Sequence, residues 1–213
     1  METSYRSILE DGISELSLAV SSETIGLLLA YHELLIKWNK AYNLTAVRNP
    51  REMISRHLLD SLTIAPYLQG SNFIDIGAGA GLPGIVLAIL FPERKFALLD
   101  SNGKKTRFLF QVKTELALDN VSIHHSRVEK HSTLEGYDGV LSRAFATLSD
   151  MVTSSEQLLT DNGLFLAMKG IYPESELKEL SEMGKNYTVD ACHRLQVPGD
   201  TGERHLIVIG RGK

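Results

Sequence analysis

Residues 75 to 84 read Asp-Ile-Gly-Ala-Gly-Ala-Gly-Leu-Pro-Gly. They stand between a short apolar run, Phe73 to Ile76, and an apolar helical stretch, Ile85 to Phe91. A strand that ends in glycines and restarts as a helix is the unit in which missing side chains let a nucleotide lie against the backbone. The next apolar run, Phe96 to Leu99, is followed by Asp100, at the spacing where a carboxylate meets ribose hydroxyls. Gly79-Ala80-Gly81-Leu82-Pro83-Gly84 also satisfies the dinucleotide pattern G-x-G-x-x-G, which keeps an NAD(P)-dependent oxidoreductase open. Two features count against it. Asp75, directly before the glycines, places a carboxylate where it repels pyrophosphate and suits a cation, and no separate substrate domain follows. S-adenosylmethionine, an adenosine carrying a sulfonium, fits these features better.

Around the turn the texture of the chain changes at about Gly70. Beyond it, apolar runs at Phe73 to Ile76, Phe96 to Leu99, Val121 to Ile123, Gly139 to Leu141 and Gly163 to Met168 alternate with helical segments. That alternation implies a mostly parallel sheet with helices on both faces. The last two runs, Tyr187 to Cys192 and His205 to Ile209, are joined by a loop without a helix and read as an antiparallel pair. Seven strands of α/β type result, in a Rossmann-like domain over 71–213. Residues 1–70 form a helical segment of three helices, with Ser21 or Ser22 opening the second and Asn49-Pro50 the third.

At 213 residues the chain suits one large domain, and 43% hydrophobic with 23% charged residues places it among ordinary globular proteins. A single cysteine, Cys192, excludes an internal disulfide and a cysteine-rich zinc site; a buried structural thiol is the expectation for it. No apolar run is long enough to span a bilayer, and the first residues lack a signal-like stretch, so the expectation is a cytoplasmic monomer without membrane contact. His124, His131 and their neighbour His125 lack ligand-spaced partners, and no metal is expected. The net charge of −4 argues against general polyanion coating but permits a local basic face.

In chain order the sequence carries Trp38-Asn39, Asn43-Leu44-Thr45-Ala46, His57 with Asp60-Ser61, the turn Asp75 to Gly84 and Leu99-Asp100-Ser101. Lys104-Lys105 with Phe108-Leu109, Ser126-Arg127-Val128-Glu129, Ser142-Arg143-Ala144, Lys169-Gly170 and Gly202-Glu203-Arg204-His205 follow. Through these pieces the chain resembles the RsmG (GidB) family, bacterial methyltransferases that modify N7 of a guanine in 16S (small-subunit) ribosomal RNA. Many methyltransferases share the glycine turn; the Asn-Leu-Thr and Gly-Glu-Arg-His pieces make the resemblance specific, while the first twenty residues match little. The resemblance implies a class I methyltransferase fold, S-adenosyl-L-methionine as cofactor, and cofactor contacts at Gly77, Leu82, Val128, Glu129 and Arg143. Gly79 and Gly81 join them from the turn, and Asp100 from its spacing.

Guanine N7 offers an in-plane lone pair and no proton, so transfer to it needs neither general base nor covalent nucleophile, and no catalytic residue in that sense is expected. RNA must then be held by local charge. Lys37, Lys40, Arg48, Arg51 and Arg56 contain only Glu52 among them and border Trp38, Tyr42 and His57. Lys169, Arg204 and His205 stand at strand ends where they meet phosphate or the target base. The partner expected is 16S ribosomal RNA or the small ribosomal subunit. The same fold without turnover, as a ribosome-assembly RNA-binding protein, is the alternative from another class.

Overall fold

A computed structural model describes residues 4–143 and 147–212; Ala144 of the Ser142-Arg143-Ala144 piece lies outside them. Seven strands form one sheet: β1 (Asn72–Ile76), β2 (Lys95–Asp100), β3 (Val121–His125), β4 (Tyr137–Ser142), β5 (Leu159–Lys169), β6 (Tyr187–Leu195) and β7 (Arg204–Arg211). Their order is β3-β2-β1-β4-β5-β7-β6. The first five run parallel, and β7 enters antiparallel between β5 and β6. This is the Rossmann-like, mostly parallel seven-stranded sheet expected from the sequence, closing hairpin included. The order reverses between β1 and β4, so the crevice for a ligand opens there, outside the strands' carboxyl ends.

Both faces of the sheet are covered. On one, α5 (Gly84–Leu90) and α6 (Gly103–Glu115) join the N-terminal helices α1 (Tyr5–Glu15) and α2 (Ser22–Tyr42) in a single apolar cluster. That cluster runs unbroken from Leu28, Tyr31 and Leu35 to Ile85 and Leu109, so residues on either side of Gly70 share one core. On the other face, α7 (Leu148–Ser155) and α8 (Glu174–Glu182) lay Met151, Val152 and Leu180 over Ile74, Ile76 and Phe165. The buried face of α5 is an uninterrupted Ile-Val-Leu-Ala-Ile run, as a helix packed between sheet and helices requires.

Ser21 caps α2, its hydroxyl accepting from Thr24 N, and Asn43 ends it in the left-handed region at φ 51°. The third helical stretch departs from expectation. It begins at Pro50 behind the cap Asn49, but α3 (Pro50–Met53) and α4 (Asp60–Leu62) flank a π-helical turn, Ile54–Leu59. A 3.6-residue apolar period runs through such a turn without a visible break, which is why periodicity does not reveal it. Cys192 also departs from expectation: it is exposed on β6, because that strand is the sheet's outer edge and alternates its residues toward solvent. Among the described residues no helix is long and apolar enough to cross a membrane.

Candidate functional site

Two cavities open at the carboxyl ends of the strands. The first, about 240 Å³, lies over β1, β2 and β3 and is lined by Gly77, Leu99, Asp100, Ser101, Ser126, Arg127, Val128 and Glu129. Its floor is the glycine turn. Gly77 N and Ala78 N both donate to Leu99 O, at 2.9 and 3.0 Å, which ties the turn to the end of β2. Gly77 and Gly79 have φ of 70° and 61°, and a Cβ on either would meet nothing closer than 3.8 Å. Their side faces open space, as a cradle for a ligand does. Gly81 differs: at φ 92° a Cβ there would stand 2.4 Å from Ile85 and 3.0 Å from Leu109, so this glycine is required by packing within the fold.

Asp100 sits at the cavity's edge with both carboxylate oxygens engaged by backbone, Oδ2 accepting from Gly79 N at 2.9 Å and Oδ1 from Asn102 N at 2.8 Å. Lys105 Nζ stands 3.8 Å from the same Oδ2. The carboxylate therefore orients the turn and retains acceptor lone pairs for a diol. Val128, buried, and Glu129, exposed, bound the cavity from the other side, while Leu82 is buried behind the turn.

Asp75 corrects the sequence argument. Its carboxylate is 1% exposed and turned away from the ligand side, Oδ2 accepting from Gly84 N at 2.8 Å while Oδ1 is buried without a partner. Burial pushes its pKa up to about 7, against the Gly84 N–H and the Arg143 charge, which lower it. Bonded to Gly84 N inside the fold and not among the residues lining the first cavity, this carboxylate does not face a ligand there, so Asp75 does not separate the candidate cofactors. A Cβ on Gly84 would come within 2.8 Å of that oxygen, which accounts for the last glycine of the pattern. From behind, Tyr31 of α2 donates its phenol proton to Ala80 O at 2.7 Å and holds the turn.

The second cavity, about 230 Å³, lies over β4, β5 and β7 and is lined by Val47, Arg56, His57, Asp60, Arg143, Met168, Lys169, Gly170 and Arg204. Asp60 is its anchor. With 1% of its side chain exposed, it accepts from Arg143 Nη1 at 3.2 Å through one oxygen and from Arg204 Nε at 2.8 Å through the other. Arg143 also donates to Arg56 O, and Arg204 to Glu203 O. Three distant stretches, the start of α4, the end of β4 and the start of β7, thus converge on one carboxylate.

His57 lies in the π-helical turn. Its Nδ1 donates to Arg56 O at 2.8 Å, which leaves Nε2 to accept from the Thr45 hydroxyl at 2.9 Å. Burial first, then the Arg143 charge, lowers its pKa to about 4, so the ring is neutral at ordinary pH. Lys169 Nζ meets Glu176 Oε2 at 2.8 Å, and His205, almost fully buried, donates from Nδ1 to Gly170 O at 2.9 Å. Asp60, Val47 and Met168 carry no role in the sequence reading; His57 and Asp60 at i, i+3 in a helical stretch were the available signal.

The Trp38 to Thr45 region proves to be a brace. Asn39 accepts from Thr45 N at 2.9 Å and donates to Val47 O at 3.2 Å, fixing the loop that carries Val47 to the second cavity. Arg48 binds Asn43 Oδ1 and Asn39 O, so its guanidinium closes this loop as well as facing solvent. Lys37 and Lys40 are exposed on α2; Arg51 is half-buried beside the Asn49 cap. Trp38 packs on Phe108 and stacks with Tyr42 at 5.1 Å. Of the expected RNA contacts, Lys169 and Arg204 line the second cavity, His205 stands behind it, and the Lys37 to Arg51 group lies outside it. Among the described residues no group of three or more His, Cys, Asp or Glu is placed to hold a metal.

Residues 24–207 match the GidB family profile, described as rRNA small subunit methyltransferase G. A ribosomal RNA small subunit methyltransferase G from Pseudomonas syringae pv. syringae is 53% identical over 203 residues, covering 95% of this chain and 94% of the relative. Its counterpart from Stutzerimonas stutzeri is 51% identical over 210 residues, covering 98% and 96%. Among solved structures, a SAM dependent methyltransferase from Aquifex aeolicus superposes with a TM-score of 0.58 at 14% identity, covering 71% of this chain and 90% of its own, a likeness of fold.

Proposed function

Since the chain belongs to the rRNA small subunit methyltransferase G family, we propose that it transfers a methyl group from S-adenosylmethionine to N7 of a guanine in 16S ribosomal RNA. It is a methyltransferase of ribosomal RNA; the guanine, its N7 and the 16S molecule are our reading. Family membership sets the oxidoreductase alternative aside.

The observation that carries the N7 assignment is the state of the second cavity's titratable groups. His57 has both ring nitrogens bonded and is held neutral, Asp60 is shared by two guanidiniums, and Lys169 is paired with Glu176. Among the described residues lining it, no carboxylate or imidazole stands free to take a proton, and an N7 acceptor gives none up. When bound, the cofactor supplies a methyl group on a cationic sulfur, ready for displacement.

The first cavity fits that cofactor. The bare backbone at Gly77 and Gly79 admits close approach, Asp100 offers acceptors to a ribose diol, and Val128 and Leu99 supply apolar walls for an adenine. Arg143, expected from the sequence at the cofactor, lines the second cavity with Arg204, and on this reading both orient the acceptor by donating hydrogen bonds. Catalysis on this reading is alignment in a preorganised field.

The test uses small ribosomal subunits lacking the modification, labelled cofactor and the whole protein. The expected result is one labelled guanine at which mild reduction and aniline break the RNA, because a cationic N7-methylguanine loses its glycosidic bond. Label without cleavage retains the methyltransferase and rejects N7. Cofactor binding without label supports the non-catalytic assembly role.

A further inference from the structure

Resting on the reading above, we propose that the loop Gly170–Pro173 is an RNA-contacting platform on which Tyr172 stacks against an unpaired base next to the acceptor guanine. The loop leaves β5 directly after Lys169, a wall of the second cavity, and Gly170 itself lines that cavity. Its next two residues are apolar and in solvent, Ile171 at 79% and Tyr172 at 49% exposure. Two large apolar side chains held out at the mouth of a cationic cavity are costly to leave wet, and mark a contact surface.

The ring is held in place on this loop. At one end of the loop, His205 of β7 donates to Gly170 O. At the other, Pro173 is buried where α8 begins. Tyr172 packs edge-to-face against the His205 ring with centroids 5.6 Å apart, which fixes one side of the phenol and leaves the rest open. A rigid aromatic of two torsions loses little entropy when a base lies on it.

The neighbours select the partner. Arg56, Arg143, Lys169 and Arg204 line the adjoining cavity with Asp60, and although Asp200 also stands within 4 Å of Arg56 and Arg204, guanidinium and ammonium groups outnumber carboxylates among the described lining residues, which suits the phosphates of a strand threading past. A base drawn into a cavity of about 230 Å³ must be unpaired, and its neighbour then has an exposed π-face. Aromatic surface beside guanidinium charge is the combination that single-stranded RNA requires.

The test compares Tyr172→Ala, Tyr172→Phe and Tyr172→Trp with the parent protein, using 16S ribosomal RNA and small subunits that lack the modification. Tyr172→Ala should raise KM for subunits about tenfold. Its kcat and its affinity for S-adenosylmethionine should stay as in the parent, and Tyr172→Phe should behave as the parent does. The fluorescence of the Tyr172→Trp protein beyond that of Trp38 should be quenched when the RNA is added. An unchanged KM in folded Tyr172→Ala, a Phe variant as damaged as Ala, or no added quenching overturns the platform. Absence of methyl transfer by the parent protein instead fails the reading beneath it, and the quenching still decides the stacking.

Discussion

Over β1 to β3 the site is made of backbone: bare glycines at 77 and 79, two N–H groups on Leu99 O, and a carboxylate, Asp100, whose oxygens accept from the chain itself. Over β4 to β7 it is made of side-chain charge, with Arg143 and Arg204 brought onto the buried Asp60 from points 83 and 144 residues away. The two halves meet where the strand order reverses. Backbone walls suit a cofactor of invariant shape, since they fix contour without depending on rotamers. A cage of charges suits a polymeric substrate that is gripped and released, because its strength responds to salt and to individual substitutions.

If this contrast is sound, the largest effect comes from breaking the cage at its anchor. Asp60→Ala should cost about 3 kcal/mol in urea denaturation, since it takes from the partly buried Arg143 its carboxylate partner and leaves Arg204 only the more distant Asp200. Loss below about 1 kcal/mol would mean the arginines simply swing to water. Next, Gly81→Ala should cost about 2 kcal/mol, because the added carbon strikes Ile85 and the residue's φ disfavours a side chain. Gly79→Ala, with open space beside it, should lose less stability and more affinity for S-adenosylmethionine in calorimetry. Equal effects of the two on stability would erase the distinction between packing glycine and ligand glycine.

The halves also differ in how they respond to acid. Asp75, raised to about 7, binds its proton more tightly folded than unfolded, so its contribution falls as pH rises from about 4 to 7. His57, lowered to about 4, holds its proton less tightly folded, so its contribution rises with pH from about 4 to 6.5 and is complete above that. Measured by urea denaturation at pH 4.5, 5.5 and 6.5 against the parent, Asp75→Asn should steepen the rise of stability with pH. His57→Gln should flatten it. Identical slopes in both variants would contradict the opposed environments. The smallest effect belongs to Lys37→Gln with Lys40→Gln, which should flatten the salt dependence of RNA binding by about 0.7 per lost phosphate contact. Cofactor affinity should be untouched; a loss there would show α2's surface coupled to the first cavity.

The same contrast explains what was legible. The glycine turn, the strand before it and Asp100 are close in sequence, and local periodicity placed all of them, as it did the closing β6 and β7 pair. Asp60 was named only as a neighbour of His57, because its meaning depends on arginines whose proximity no local pattern reveals. The π-helical turn escaped for a related reason, since one extra residue per turn leaves the apolar pattern readable. Asp75 misled because its position in the strand says where the carboxylate starts and not which way it turns. Cys192 misled because strand order, and hence edge status, is settled by the whole sheet.

Tyr31 also has a bearing on how the molecule is assembled. Its hydroxyl holds Ala80 O from behind the glycine turn, and its ring lies in the core that α2 shares with α5 and α6. On a ribosome, residues 22–42 emerge before residue 80 does, so this helix waits with its apolar stripe uncovered until β1 and α5 arrive. The chain's vulnerable moment therefore comes while β1 and α5 are still inside the exit tunnel, and a nascent chain halted at that stage should be a client for chaperones. Excising the sheet portion for use as a free-standing methyl-transfer module would fail for the mirror reason: the turn would lose the wall against which it takes its shape.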